Sequence, residues 1–480
     1  VSIRAESQEP WFEEISEHRS GLDFRFESGT RRQFDLPEIM AGGMAAADFD
    51  GDGRLDLFFC QGGPMLAEIG QGAGNRKVAS PSDPPCVWYR NLGGMKFRRV
   101  ACDVTGPSYA MGAWPADFDA DGRPDLFVSG WRGWALYRNL GDWKFDDVTA
   151  SLGADVPAWS TAAVWCDFDM DGHQDLFVGG YVDFDIRQAP YCAAPNGKRD
   201  YCGPEDFRAV PNRLFRGDGQ GAFEDVSDRL GESRKSGRTL GAIASDIDAD
   251  GRIDLFVAND GSACELLMQQ ADGAYRDEAI PRGVAFDAEG AAIAAMGVAF
   301  ADVAGRGTPD LVVTNFFDRG TVVFESTKPG YFVDASGPTG LKAATRRFNG
   351  FGVAAADFDG DGKTEIVQAN GHVLSRERLG IPLRMPPVLL KPNSGGRFEA
   401  IDESRFPIAD RKMIGRGLIA ADFDSDGRPD LLISRLDGPP VLLRNVSKAG
   451  STAARIQKPM SFGGSYLSGL SAPASREAGH

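Results

Sequence analysis

Nine residues, DFDGDGRLD from Asp48 to Asp56, set carboxylates at positions 1, 3, 5 and 9 of a loop with glycine at position 6. Hard oxygen ligands at alternating positions around a sharp turn are what a flexible cage for calcium needs, whereas magnesium demands tighter octahedral geometry. The block returns as DFDADGRPD from Asp117, DFDMDGHQD from Asp167, DIDADGRID from Asp246, DFDGDGKTE from Asp357 and DFDSDGRPD from Asp422, with a degraded DVAGRGTPD from Asp302. The predicted ligands are the side chains of Asp48, Asp50, Asp52 and Asp56; of Asp117, Asp119, Asp121 and Asp125; of Asp167, Asp169, Asp171 and Asp175. To these are added Asp246, Asp248, Asp250 and Asp254; Asp357, Asp359, Asp361 and Glu365; and Asp422, Asp424, Asp426 and Asp430. Position 7 (Arg54, Arg123, His173, Arg252, Lys363, Arg428) offers its backbone carbonyl. Four carboxylates in nine residues repel one another without a cation, so about six bound calcium ions are expected. In the degraded copy Ala304 and Arg306 replace two ligands; that loop is expected to be empty, with the Arg306 guanidinium or a neighbouring hydrogen bond in the metal's place.

The flanks of these loops are not helices, and the closing carboxylate falls at position 9 rather than 12, which separates them from an EF-hand. Each repeat runs through a small-residue segment such as GVAAADF, the acidic loop, an apolar run such as PDLFVSG, a segment such as ALYRN, then a turn and KFDDVT. That order predicts four short strands per repeat, the blade of a β-propeller. The position-2 residue, Phe or Ile in the intact loops, is expected to wedge into the sheet stack. The seventh repeat reaches PVLLRN at Asn445 and has no fourth segment, while WFEEIS at residues 11–16 has the pattern of the missing strand. The expectation is an all-β, integrin-alpha-like seven-bladed propeller over residues 1–447, its last blade completed by the N-terminal strand, which removes two free sheet edges. A six-bladed ring with a stray repeat is the alternative. Insertions fall at about 61–86 and 181–211, and 448–480 reads as an extended tail.

The loops, the ring, the opening WFEEISEHRSGLDF, the RNLG turns at Arg90 and Arg138, the NGHV from Asn370 and the GGSYLSGLSAP from Gly463 resemble the FG-GAP/VCBS-repeat propellers. The resemblance is narrower to the cartilage-acidic-protein-like group that ends in an ASPIC/UnbV module, of which the tail looks like a fragment. It implies an exported, calcium-bearing adhesion or scaffold protein with protein partners. Relatives that are lectins or sugar lyases keep a glycan-binding or lyase site on a propeller face as the second reading.

Composition supports export and argues against several classes. No stretch approaches the roughly 18 apolar residues of a membrane helix, and the opening at Val1 fits removal of a leader, so a periplasmic, cell-surface or secreted protein is expected. Six dications would offset most of the formal charge of −17, so the acidity reports metal loops and by itself argues neither for nor against nucleic acid; no nucleic-acid partner is expected. Of seven cysteines, Cys192 and Cys202 bracket a Pro/Gly/Asn-rich stretch within the second insertion and Cys60 and Cys86 bracket the first, and both pairs are candidate disulfides in an oxidising compartment; Cys166 and Cys264 better suit buried apolar positions. No nucleophile elbow, zinc motif or phosphate loop occurs among only four histidines, so no catalytic residue is predicted and His372 is assigned a structural role. Most tryptophans lie in the first three repeats. Trp131 and Trp134, in SGWRGW, are predicted to be exposed and to bind a protein partner.

Overall fold

The computed structural model describes residues 9–448 except 32, 64–85, 103, 105, 108, 154–158, 195–196, 236, 375 and 377–379, together with 460–461 and 465–466. It is a seven-bladed β-propeller. Blade 1 runs Met44–Ala47, Asp56–Phe59, Val87–Asn91 and Phe97–Val100, each strand antiparallel to the one before. Blades 2 to 6 repeat the order, beginning at Ala110, Ser160, Thr239, Val298 and Gly350. Blade 7 supplies Gly415–Ala421, Asp430–Arg435 and Val441–Asn445, and its fourth strand is Phe12–Ile15 from the chain's start. The register sets Phe12 opposite Asn445 and Ile15 opposite Leu442, so the ring closes as the orphan strand required. Trp11, Phe12 and Ile15 are buried at the seam, and Glu14 pairs with Arg411.

Small residues are needed where seven first strands converge. A Cβ on Gly352, in the first strand of blade 6, would meet the Leu418 nitrogen of blade 7 at 2.6 Å. The apolar cores lie between blades rather than within them: Phe49, Phe58 and Trp88 of blade 1 pack with Leu126, Val128 and Tyr137 of blade 2. The position-2 residue of each loop enters such a core, as Phe49, Phe118, Phe168, Ile247 and Phe358 all do. Its carbonyl is used as well. The side-chain amides of Asn139, Asn91, Gln269 and Asn445 donate to the carbonyls of Phe49, Phe423, Phe168 and Phe358 in the preceding blade at 2.8–2.9 Å. These four wedges are therefore pinned by an apolar contact and a hydrogen bond.

Two sequence-based expectations fail here. Trp131 and Trp134 are 2% and 1% exposed. Trp131 sits under the second insertion, its indole N–H donating to the Phe184 carbonyl at 3.1 Å, and Trp134 fills space between blades 2 and 3 against Phe127 and Phe215. Neither presents a surface to a partner: the insertion folds back over Trp131, and the next blade covers Trp134. Cys60 and Cys86 are unpaired buried thiols, packed with Phe58 and Trp88 in the core between blades 1 and 2, where burial pushes the Cys86 thiol up to about 12. Their inward facing serves packing, as for other apolar cysteines. Cys192 and Cys202 are disulfide-bonded and close a small hairpin, Cys192–Ala193 with Arg199–Asp200. Most of the first insertion and most of the tail lie outside the described residues. No helix among those described is long and apolar enough to cross a membrane.

Candidate metal centre

Up-and-down strand order places every acidic loop, which joins the first and second strands of a blade, on one face of the ring. The four carboxylates of a loop do different work. The position-1 aspartate holds the turn: Asp48 accepts from the backbone N–H groups of Asp52 and Gly53 at 2.9 and 2.7 Å, and Asp117, Asp167, Asp246, Asp357 and Asp422 do the same. Gly53 stands at φ 83°, the left-handed region that glycine enters without a Cβ penalty. Position 4 is left-handed as well, even where it is Ala120, Met170, Ala249 or Ser425.

The position-9 carboxylate is a staple between strands. Asp56 accepts from Phe49 N–H at 3.1 Å and from Asn91 N–H, on the third strand, at 2.8 Å, and Asp125, Asp175, Asp254 and Asp430 repeat both bonds. Burial pushes these carboxyls up, to about 7 at Asp56, about 8 at Asp125 and about 8 at Glu365. A nearby cation favours the ionised form against that desolvation.

Position 3 has no such duty. The Oδ1 atoms of Asp50, Asp119, Asp169, Asp248, Asp359 and Asp424 are all buried and accept no hydrogen bond. Buried polar atoms are rarely left unpartnered, and here the same atom is orphaned in all six intact loops. The oxygens converge: one each from Asp48, Asp50 and Asp56 lie within 4.8 Å of one another, as do those of Asp117, Asp119 and Asp125, of Asp167, Asp169 and Asp175, and of Asp357, Asp359, Asp361 and Glu365.

The charge balance depends on residues the loop pattern does not include. A base approaches the other oxygen of position 3: Arg90, Arg138, Arg216 and Arg444 on third strands at 2.6–2.8 Å, Arg282 in blade 4 at 3.1 Å, and Lys391 in blade 6. The position-7 side chains of Arg54, Arg123, Arg252 and Arg428 pair with the position-5 aspartate. In these four blades two guanidinium groups face four carboxylates, which leaves the charge that one divalent cation cancels. The repeated Arg-Asn of the third strand was the available signal. Its arginine serves the loop and its asparagine the neighbouring blade.

Blade 5 shows which parts of the loop the fold itself needs. Asp302 still accepts from the N–H groups of Arg306 and Gly307 at 2.9 and 2.7 Å, and Asp310 from Val303 at 3.0 Å and Ser326 at 2.8 Å. Positions 3 and 5 are the ones replaced. The Arg306 guanidinium lies 3.3 Å from Asp310 and 2.7 Å from Glu325, so a fixed positive charge stands beside the position-9 carboxylate.

A family model described as an FG-GAP-like repeat matches residues 117–178, 246–313 and 302–367. Fold and loops together define the class: a seven-bladed propeller carrying FG-GAP-like repeats. Among solved structures, the chain is similar to an Agrocybe aegerita lectin described as recognising non-reducing terminal N-acetylglucosamine, at 15% identity and TM-score 0.46, over 78% of this chain and 87% of that one. It is also similar to BBS1N, solved in complex with ARL6DN, at 8% identity and TM-score 0.49, over 93% and 100%. Likeness at this level says nothing of a shared ligand or partner. No curated protein matches the chain.

Proposed function

We propose that this is a calcium-stabilised, exported propeller that acts by binding, as a scaffold or accessory subunit, rather than by catalysis. The observation that carries the cation reading is the orphaned position-3 oxygen, found in every intact loop and removed in the one degraded loop. The residues that would hold the ion are the carboxylates at positions 1, 3, 5 and 9 with the carbonyl at position 7. The bound ion would supply charge neutralisation and rigidity to the turn between the first two strands. Export is supported by the Cys192–Cys202 disulfide, since such bonds persist in oxidising compartments. With Trp131 and Trp134 buried, partner binding falls to the loop-rich face opposite the acidic loops, where the disulfide-closed insertion lies.

Two substitutions in one loop test the division of labour. Asp119→Asn removes a ligand charge and the partly exposed Arg138 ion pair but strands no buried backbone N–H, so it should weaken calcium binding at that loop while changing the calcium-free melting midpoint by little, since such surface pairs are worth about 0–1 kcal/mol. Asp125→Ala strands the N–H groups of Phe118 and Asn139, each costing about 1–3 kcal/mol when buried and unsatisfied, and should destabilise the chain with or without calcium. Equal loss from both variants in chelator would show that position 3 is structural and would remove the main support for a cation site.

A further inference from the structure

The face opposite the acidic loops holds a cavity of about 430 Å³, within the range of small-molecule sites. It is walled by the second-to-third-strand turns of blades 4 to 6, by Leu36–Met40, by the Asp200–Glu205 segment next to the disulfide, and by the approach to blade 5. None of these groups belongs to a cation loop.

The polar groups of the wall are arranged as donors and acceptors of near-neutral balance. Asp200 is ion-paired with Arg376 at 2.5 Å. Asp260 accepts the Tyr181 hydroxyl at 2.9 Å, and burial pushes its carboxyl up to about 6. His372 is 3% exposed; its Nδ1 accepts the Leu374 N–H at 3.1 Å, which places the proton of the neutral ring on Nε2 and makes that atom a donor. Burial lowers this imidazole to about 4, so it stays neutral at physiological pH. Asn315 commits its carbonyl oxygen to the N–H groups of Ala294 and Phe316 at 3.1 and 2.8 Å, so what it can present is the amide N–H₂. Glu205 and Arg319, both exposed, are of opposite sign. Beside these groups the Phe316 ring is 36% exposed and stands edge to face with His372 at 5.0 Å.

A fully anionic ligand would meet Asp200, Asp260 and Glu205, and a cationic one Arg319, Arg376 and the His372 N–H. A neutral polyol meets neither conflict: each hydroxyl both donates and accepts, and the C–H face of a sugar ring lies against an aromatic ring while its hydroxyls reach the rim. We infer that the cavity binds a neutral saccharide of one or two units, seated against Phe316 and hydrogen-bonded through His372, Asn315 and Asp260. This goes beyond the scaffold reading and does not depend on the cation loops.

The test is isothermal titration of cellobiose, maltose, lactose and diacetylchitobiose into the full calcium-loaded chain, with glycylglycine as a zwitterionic control. At least one sugar should bind at one site per chain. Phe316→Ala should weaken it about tenfold or more, a loss of about 1.4 kcal/mol, with the melting midpoint unchanged; Asn315→Ala should weaken it as well, with a lowered midpoint, because it also strands the N–H groups of Ala294 and Phe316. Binding by none of the four sugars, sugar binding untouched by both variants, or binding of the dipeptide alone would each overturn the proposal. The melting midpoint in chelator, recorded on the same preparations, reports separately on the cation reading.

Discussion

In excess EGTA the melting midpoint of this chain is expected to fall by about 15 °C or more, and to return when calcium is restored. A ligand that binds only the native state stabilises it by about 2.7 kcal/mol per site at a hundredfold excess over Kd. Six intact loops therefore contribute on the order of 16 kcal/mol, and for a chain of this size each kcal/mol moves the midpoint by about 1–2 °C, extrapolating from smaller domains. The physical origin is local. Without a cation, four carboxylates share each loop, one of them with a buried oxygen that accepts nothing. Blade 5 is the internal control, because Arg306 already stands beside Asp310. Substitution of Asp302 or Asp310 should lower stability by the same amount in calcium and in chelator. A midpoint indifferent to EGTA would mean that the loops are held by their own hydrogen bonds and the arginines alone.

Removal of residues 1–16 is the second large effect. It takes Trp11, Phe12 and Ile15 out of buried positions, each worth about 1.5–3 kcal/mol, together with the pairing of Phe12–Ile15 to Val441–Asn445 and the Glu14–Arg411 ion pair. It also leaves Val441–Asn445 as an unpaired edge, a template for association with other chains. The truncated chain should lose about 5 kcal/mol or more and elute as oligomer or aggregate in size-exclusion chromatography. A synthetic peptide spanning residues 9–20, added in excess, should restore the monomer. A truncated chain that stays monomeric with an unchanged midpoint would show that the seam carries no stability.

The repeated parts of this structure were legible in the sequence, whereas most of what occurs once, the closing strand and the Cys192–Cys202 pair apart, was not. Seven copies of one loop fixed the number of blades, and the vacancy after Asn445 identified Phe12–Ile15 as its occupant. Identical aspartates concealed different duties, however, since residue type alone does not distinguish Asp119, whose Oδ1 is orphaned, from Asp125, which staples two strands. Trp131 looked like an exposed anchor because it stands in the glycine-flanked SGWRGW; the insertion that returns over it, through Phe184, carries no pattern of its own. Cys60 and Cys86 bracket an insertion as Cys192 and Cys202 do, but they face the core between two blades. The cavity was invisible for a related reason. Tyr181, Asp260, the adjacent pair Asn315 and Phe316, and His372 come from four different blades, and only closure of the ring brings them together.

The most direct measurement is the metal content of the folded chain, by inductively coupled plasma mass spectrometry after equilibration in millimolar calcium and rapid desalting. Six calcium ions per chain are expected, falling to five in Asp119→Asn and remaining six in Arg306→Ala, because the other ligand positions of blade 5 are already lost. A chain that retains no calcium, or whose content is the same in Asp119→Asn, would contradict the account.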